Sequence, residues 1–232
     1  MNDKPVIILA KGPSARLLPE SDKYEVAAVN NALWLSPSPR WSYFNDLEPM
    51  EQMEDGDFIE ATTMIVPTFL HTQHNPRFNG VSGQFHFHRL SEFFPNRFNH
   101  ITFRLYELHP GDNSSVAERE RTGSANSNVP SLDEWPMSTG QTAAMWLMKF
   151  ENRKDFITMG CDPGKGYHPY FEEKCFKNVD GSPAFGGQST AAQPVGIYQQ
   201  CLDQSLRWAK HYGARFRHVD EVSKDELREL GL

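Results

Sequence analysis

The chain reads as an α/β protein built on a mostly parallel sheet. Three observations carry that expectation: short apolar, β-branched runs that alternate with helical stretches, a polar turn closing each run, and one run, Val6–Ala10, with no polar face at all. A strand apolar on both faces belongs inside a parallel sheet, where helices cover it above and below. At 232 residues and roughly 150 residues per domain, a single domain spanning 1–232 with a substantial insertion accounts for the length.

The elements come in this order. Val6–Ala10 enters from Pro5 and is closed by Lys11-Gly12-Pro13-Ser14. Glu25–Val29 ends in Asn30-Asn31, Trp41–Phe44 in Asn45-Asp46, and Thr62–Val66 at Pro67. Ile101–Tyr106 is a fifth strand. Asp155–Met159 is a sixth, ending in Gly160-Cys161-Asp162. Ala214–Val219 is the last, with Phe216 on one face and Arg215, Arg217 and Val219 on the other. Ser138-Thr139-Gly140 leads into a helix, Gln141–Glu151, where Ala144, Trp146, Leu147 and Phe150 form a stripe. Pro194 opens a second helix to Tyr212, with Ile197, Cys201, Leu202, Leu206, Trp208 and Ala209 on its buried side and Gly213 as its stop. Ser223–Leu230 is a terminal helix, with Ser223 as cap and Glu226 three residues on. Residues 67–135 read as an insertion, whose stretch 111–136 is poor in apolar residues. Residues 163–193 carry Tyr167, His168, Tyr170, Phe171, Phe176 and Phe185 and read as a lid.

Composition narrows the class. The 38% hydrophobic and 12% aromatic content exclude a disordered chain. With 23 Lys and Arg against 30 Asp and Glu, the net charge is −7. That balance disfavours a broad nucleic-acid surface, which needs clustered cations, and leaves room only for a small basic groove. Cys161, Cys175 and Cys201 follow no metal-ligand spacing, which favours free thiols and a reducing compartment. No apolar run approaches the roughly 20 residues of a membrane helix, and no basic segment precedes an apolar run at the start. The expectation is a cytoplasmic protein without a membrane span.

In open α/β sheets ligands lie beyond the carboxyl ends of the strands. Lys11–Ser14, Asn30, Asn45-Asp46 and Asp162 all stand there. Gly12 would let the backbone approach a phosphate, with loop amides as donors, and a plain turn is the competing reading. The sequence is neither a Walker A loop nor G-x-G-x-x-G. The asparagines suit a ribose or base edge or simply a turn. Asp46 and Asp162 are metal ligands, bases, ribose acceptors or helix caps.

The succession strand–x-Gly-Pro-Ser, Val-Asn-Asn, Tyr-Phe-Asn-Asp, Ser-x-Gly before an Ala-rich helix, and Phe-Ile-x-x-Gly-Cys-Asp resembles bacterial sialyltransferases of glycosyltransferase family 42. It also resembles the broader DUF115 group, which includes Maf-type flagellin-glycosylation proteins and a pterin pyrophosphokinase. The similarity covers residues 5–50 and 136–162. It implies a Rossmann-like sheet with helices on both faces, in the GT-A variant, holding a nucleotide sugar such as CMP-sialic acid. By position, the resemblance gives nucleotide contacts to Gly12, Pro13 and Ser14, to Asn30 and Asn45, to Ser138 and Gly140, and to Gly160 and Asp162. Lys11 stands where the family has Asn, and an ammonium there suits a diphosphate, which keeps UDP and GDP sugars in play.

The family's general-base histidine falls in a stretch, 189–196, that here contains none. His168 is the nearest substitute, with Asp162 or Asp46 behind it. The expected activity is transfer of a sugar from a nucleotide-sugar donor to a hydroxyl of a glycan or other acceptor, with no cofactor beyond that donor and no metal. The alternatives are a Mg²⁺-dependent pyrophosphokinase with the ion on Asp46 and Asp162, a phage-type glycosyltransferase acting on a DNA base, and a non-catalytic nucleotide- or glycan-binding protein. Other features have plainer readings. His71, His74, His86 and His88 suit an edge strand better than Zn²⁺. Arg119 and Arg121 suit a solvated loop, Phe93, Phe94 and Phe98 a packed subdomain, and Cys161 an inert thiol.

Overall fold

The computed structural model describes residues 4–51, 63–67, 69–72, 83–86, 102–106, 138–162, 168–174 and 195–232. Seven parallel strands form the main sheet: β1 (Val6–Leu9), β2 (Glu25–Val29), β3 (Trp41–Tyr43), β4 (Met64–Pro67), β7 (Phe103–Tyr106), β8 (Asp155–Met159) and β9 (Arg215–His218). Their order across the sheet is β7-β4-β3-β2-β1-β8-β9. β5 (Phe69–Thr72) and β6 (Gly83–His86) pair antiparallel in a sheet of their own. The helices are α1 (Leu47–Glu51), α2 (Thr139–Lys149), α3 (Pro169–Lys174), α4 (Val195–Tyr212) and α5 (Lys224–Leu230). This is an α/β, Rossmann-like fold, and no helix among the described residues is long and apolar enough to cross a membrane.

The sheet is central because its strands are apolar on both faces. Along β1 every residue has zero exposure, and successive side chains enter opposite cores. Val6 and Ile8 pack with α2, Trp208 and Ala209 of α4, and Phe156, while Ile7 and Leu9 pack with Ala15, Leu18, Phe171 of α3 and Val219. Leu227 and Leu230 of α5 close the second layer. Complete burial of each such side chain contributes about 1.5–3 kcal/mol, so the strand is held from two sides.

The helices differ from the expected stripes in one way. α2 is buried nearly all round, from Gln141 to Met148, because α4 lies across its outer side. The buried stripe of α4 is Cys201, Gln204, Ser205, Trp208 and Ala209, while Leu206 is 44% exposed. Two polar residues displace leucines from this face because both are satisfied there. Gln141 Nε2 donates to Cys201 O (2.7 Å) and Gln204 Oε1 (3.0 Å), and Ser205 Oγ donates to Cys201 O (2.9 Å).

The strand order fixes where a ligand belongs. β1, β2, β3, β4 and β7 run outward to one side, and the chain then returns to lay β8 and β9 on the other side of β1. The switch point is therefore between β1 and β8. Several expectations fall outside the described residues: the 111–136 stretch with Arg119 and Arg121, the phenylalanines 93, 94 and 98, Cys175, His74, His88, and most of the lid. His71 and His86 lie in β5 and β6, in register with Gln84 and Phe69.

Candidate functional site at the β1–β8 switch point

The turn after β1 and the end of β8 are built against each other. Ala10 N–H donates to Met159 O (2.8 Å) and Gly12 N–H to Gly160 O (2.7 Å), so the pairing continues past the strand ends. This closeness demands both glycines. A Cβ on Gly12 would stand 2.5 Å from Asp162 Oδ2 and 2.7 Å from Gly160 O. Gly160 has φ +74°, and a Cβ there would stand 2.3 Å from Ala10 O. Only glycine takes that backbone conformation at no steric cost.

Asp162 is the hub of the cluster at this turn. Its side chain is 2% exposed. Oδ2 accepts from Ser14 N–H at 2.7 Å, and Ser14 Oγ in turn accepts from Gly160 N–H at 2.8 Å. Oδ1 lies 3.4 Å from His218 Nε2, which is also 3.5 Å from Ser14 Oγ. Burial opposes the carboxylate's charge, but bonding from His218 and from the Ser14 amide and hydroxyl outweighs it and holds the carboxyl below its usual range. Asp162 is therefore an ionised, enclosed carboxylate at neutral pH.

His218 ends β9 and is the member of this group that the sequence did not disclose. Its Nδ1 accepts from Asp220 N–H (3.3 Å), with Asp220 Oδ2 3.4 Å away, and its backbone N–H donates to Glu221 Oε2 (2.9 Å). An accepting Nδ1 places the neutral ring's proton on Nε2, facing Asp162 and Ser14. Serine, histidine and aspartate are the members of the hydrolase triad, but the wiring here differs. A triad sets the carboxylate on one ring nitrogen and the serine on the other. Here Asp162 shares Nε2 with Ser14, and the carboxylate beside Nδ1 is that of the exposed Asp220, next to a nitrogen that already accepts from the Asp220 N–H. The neutral ring so bonded turns a proton, not a lone pair, toward Ser14 and gives no activated serine.

His168 stands beside the loop, its backbone N–H donating to Lys11 O at 2.7 Å. Its Nδ1 accepts from Tyr170 N–H (3.2 Å), which likewise leaves the neutral proton on Nε2. As placed, the ring is a hydrogen-bond donor at that nitrogen rather than a proton acceptor. Packing fixes α3 behind it: Phe171 is fully buried and stacks on Trp34, with ring centroids 6.5 Å apart.

The remaining predicted residues separate into two groups. Asn30 follows β2 at φ +51°, with Oδ1 buried and without a donor. Ser138 caps α2, its Oγ accepting from Gln141 N–H, and a Cβ on Gly140 would stand 3.7 Å from Cys161 Sγ, so this turn adjoins the end of β8. Asn45 is turned into the core instead: it is 9% exposed and its Nδ2 donates to Thr142 Oγ1 (3.0 Å), tying β3 to α2. Asp46 is half-buried just ahead of α1. In the loop as folded, three of its amides are bonded within the protein. Gly12, Ser14 and Ala15 all direct their N–H groups to protein acceptors, the last to Gly12 O at 2.9 Å. Pro13 has none to offer.

Cys161 is a free thiol pushed up to about 12, by burial first and then by Asp162 and Cys201. At neutral pH this holds it as the thiol rather than the thiolate. Among the described residues no group of three or more His, Cys, Asp or Glu side chains is placed to hold a metal ion. Both oxygens of Asp162 face neighbours within the fold, Ser14 and His218.

The fold and this edge define a Rossmann-like α/β protein with a polar cluster at its switch point. No family model, curated protein or solved structure matches the chain.

Proposed function

We propose that the chain is a glycosyltransferase that takes a nucleotide sugar at the carboxyl edge of β1, β2 and β8 and transfers the sugar to an acceptor hydroxyl. The observation that supports this reading is positional. Lys11–Ser14, Asn30 and Gly160–Asp162, segments of the resemblance to family 42, follow three strands adjacent in the sheet and flank its switch point. The buried Oδ1 of Asn30 lacks a donor and suits a ribose hydroxyl or an exocyclic base amine. With the amides of Gly12, Ser14 and Ala15 engaged internally, the leaving phosphate is met by side chains, and the Lys11 and His168 residues supply the cationic and imidazole chemistry suited to it. The acceptor oxygen bonds to the anomeric carbon as the bond to the phosphate oxygen breaks, the hydroxyl proton passes to the departing phosphate or to water, and donors aimed at the phosphate oxygen stabilise its developing charge.

A second reading, a non-catalytic nucleotide- or glycan-binding protein, draws on one specific observation. Asp162 is enclosed with both oxygens turned to Ser14 and His218, and the accepting nitrogen of His168 is taken by Tyr170 N–H, so neither turns an acceptor atom to the crevice as placed. Thermal-shift measurement with CMP, UDP, GDP and ATP, each with and without Mg²⁺, tests both readings. The transferase reading expects metal-independent stabilisation by CMP, UDP or GDP, turnover of the matching nucleotide sugar, and loss of the shift in Asn30→Ala. Binding without donor turnover favours the second reading, and stabilisation only by ATP with Mg²⁺ sinks both in favour of a pyrophosphokinase.

A further inference from the structure

We infer that His218 is a positioning residue for this site: through Nε2 it holds the Asp162 carboxylate, which in turn holds the Gly12–Ser14 loop in the shape presented to a ligand. The inference deepens the nucleotide-site reading but rests on a separate observation, the wiring of the ring.

Five contacts define that wiring. On the outer side, Nδ1 accepts from Asp220 N–H (3.3 Å) and lies 3.4 Å from Asp220 Oδ2, and the backbone N–H donates to Glu221 Oε2 (2.9 Å), a reciprocal cap that fixes the ring as the chain leaves β9. On the inner side, Nε2 faces Asp162 Oδ1 (3.4 Å) and Ser14 Oγ (3.5 Å). The cap thus decides which nitrogen carries the proton, and the proton decides that Asp162 is bonded rather than repelled. A carboxylate that is 2% exposed needs such donors, since unpaired burial of its charge is costly. Ser14 supplies its N–H and its hydroxyl, and His218 its ring nitrogen. β9 pairs with β8 in register, with His218 opposite Thr158, so the last strand delivers this donor to the switch point.

The two ring nitrogens can be separated by substitution. Glutamine puts an amide N–H₂ near the place of Nε2, and asparagine puts its amide near the place of Nδ1, where the oxygen accepts from Asp220 N–H. In His218→Gln the bond to Asp162 survives, whereas in His218→Asn only the side toward Asp220 does. Amide hydrogen exchange, read residue by residue, measures the loop without any ligand. We expect His218→Asn to lower protection about tenfold at Ser14 and Gly160, in line with the loss of one hydrogen bond to a charged group. Val6–Leu9 should keep their protection in both variants, and His218→Gln should behave as wild type. Equal protection of Ser14 in wild type and His218→Asn would overturn the inference. So would loss in His218→Gln equal to that in His218→Asn, or loss that extends along β1, which would mark a merely structural residue.

Calorimetric titration with CMP, UDP and GDP is the second arm. If any binds wild type, its affinity should fall about tenfold in His218→Asn and be restored in His218→Gln, in step with the same lost bond, and unchanged affinity in His218→Asn overturns the inference. If none binds wild type, the nucleotide reading fails alone, and the exchange measurement still decides the role of His218.

Discussion

The two edges of the sheet hold their charges in opposite ways. At the amino edge, Glu25 meets Arg40 and Arg153, and Asp155 meets Arg215 and Arg217, the latter also gripping Glu226 of α5 at 2.8 and 2.9 Å. Two of these arginines are open to solvent, with Arg40 at 55% and Arg215 at 56% exposure. At the carboxyl edge, one carboxylate is enclosed and meets a backbone amide, a hydroxyl and an imidazole. The amino edge pairs long, hydrated side chains that lose conformational freedom to meet, which is why such pairs are worth little. The carboxyl edge fixes short side chains on strand ends, where position is the product. Charge counted on the sequence does not distinguish the two; burial and partner type do.

Substitutions can break or sharpen this contrast. The largest effect belongs to Gly160→Ala at the carboxyl edge, which combines a strained φ with a collision against Ala10 O. Urea unfolding should show a loss of about 3 kcal/mol or more, and a loss under about 1 kcal/mol would mean the turn relaxes and the edge is not rigid.

Asp162→Asn comes next, at about 2 kcal/mol near neutrality, from weakened bonds to Ser14 and His218. The sign with pH follows from the lowered carboxyl. Its contribution is present above the usual carboxylate value and disappears as pH falls through the folded-state value. The gap between wild type and Asp162→Asn should therefore close in acid. A gap that persists there would assign the cost to shape rather than charge.

The smallest effects lie at the amino edge. Substitution of Arg217, which is 15% exposed and bidentate on Glu226, by alanine should cost about 1 kcal/mol. Arg215→Ala should change stability by no more than about 0.5 kcal/mol, and less still in high salt. Arginine losses as large as that of Asp162→Asn would erase the distinction.

Much of the frame is legible in the sequence because its signals are local. β2 and β8 fall where the apolar runs predict them, β1 ends one residue earlier, and Ser223 and Ser138 cap their helices. The β5–β6 pair is not legible. Its strands are four residues each, carry little β-branched content and are joined without an Asn-Gly or Asp-Gly turn next to either strand. α3 announces itself only by Pro169 at its first position, a signal lost among aromatic residues that suggest a lid. Gln204 and Ser205 occupy buried sites that an apolar stripe would assign to leucines, since their partners lie on another turn or another helix. His218 is hidden because the alternating pattern extends the expected strand to Val219, which places the histidine within a strand rather than at its end. The strand-end rule, applied one residue earlier, points to it. Asn45 shows the converse: a strand-end asparagine can face inward when a threonine on the neighbouring helix receives it.

The enclosure of α2 has a mechanical consequence. A helix walled in by the sheet below and α4 above cannot tilt without opening both interfaces, so the Ser138–Gly140 turn is a stationary wall of the site. Across the loop, His168 and α3 are moored by the main-chain bond to Lys11 and by ring packing on Trp34. Both sides of this edge are therefore held from behind: an arriving molecule meets one wall braced by packing between the sheet and α4, and another tied to the β1 loop by a single main-chain bond and a buried aromatic ring.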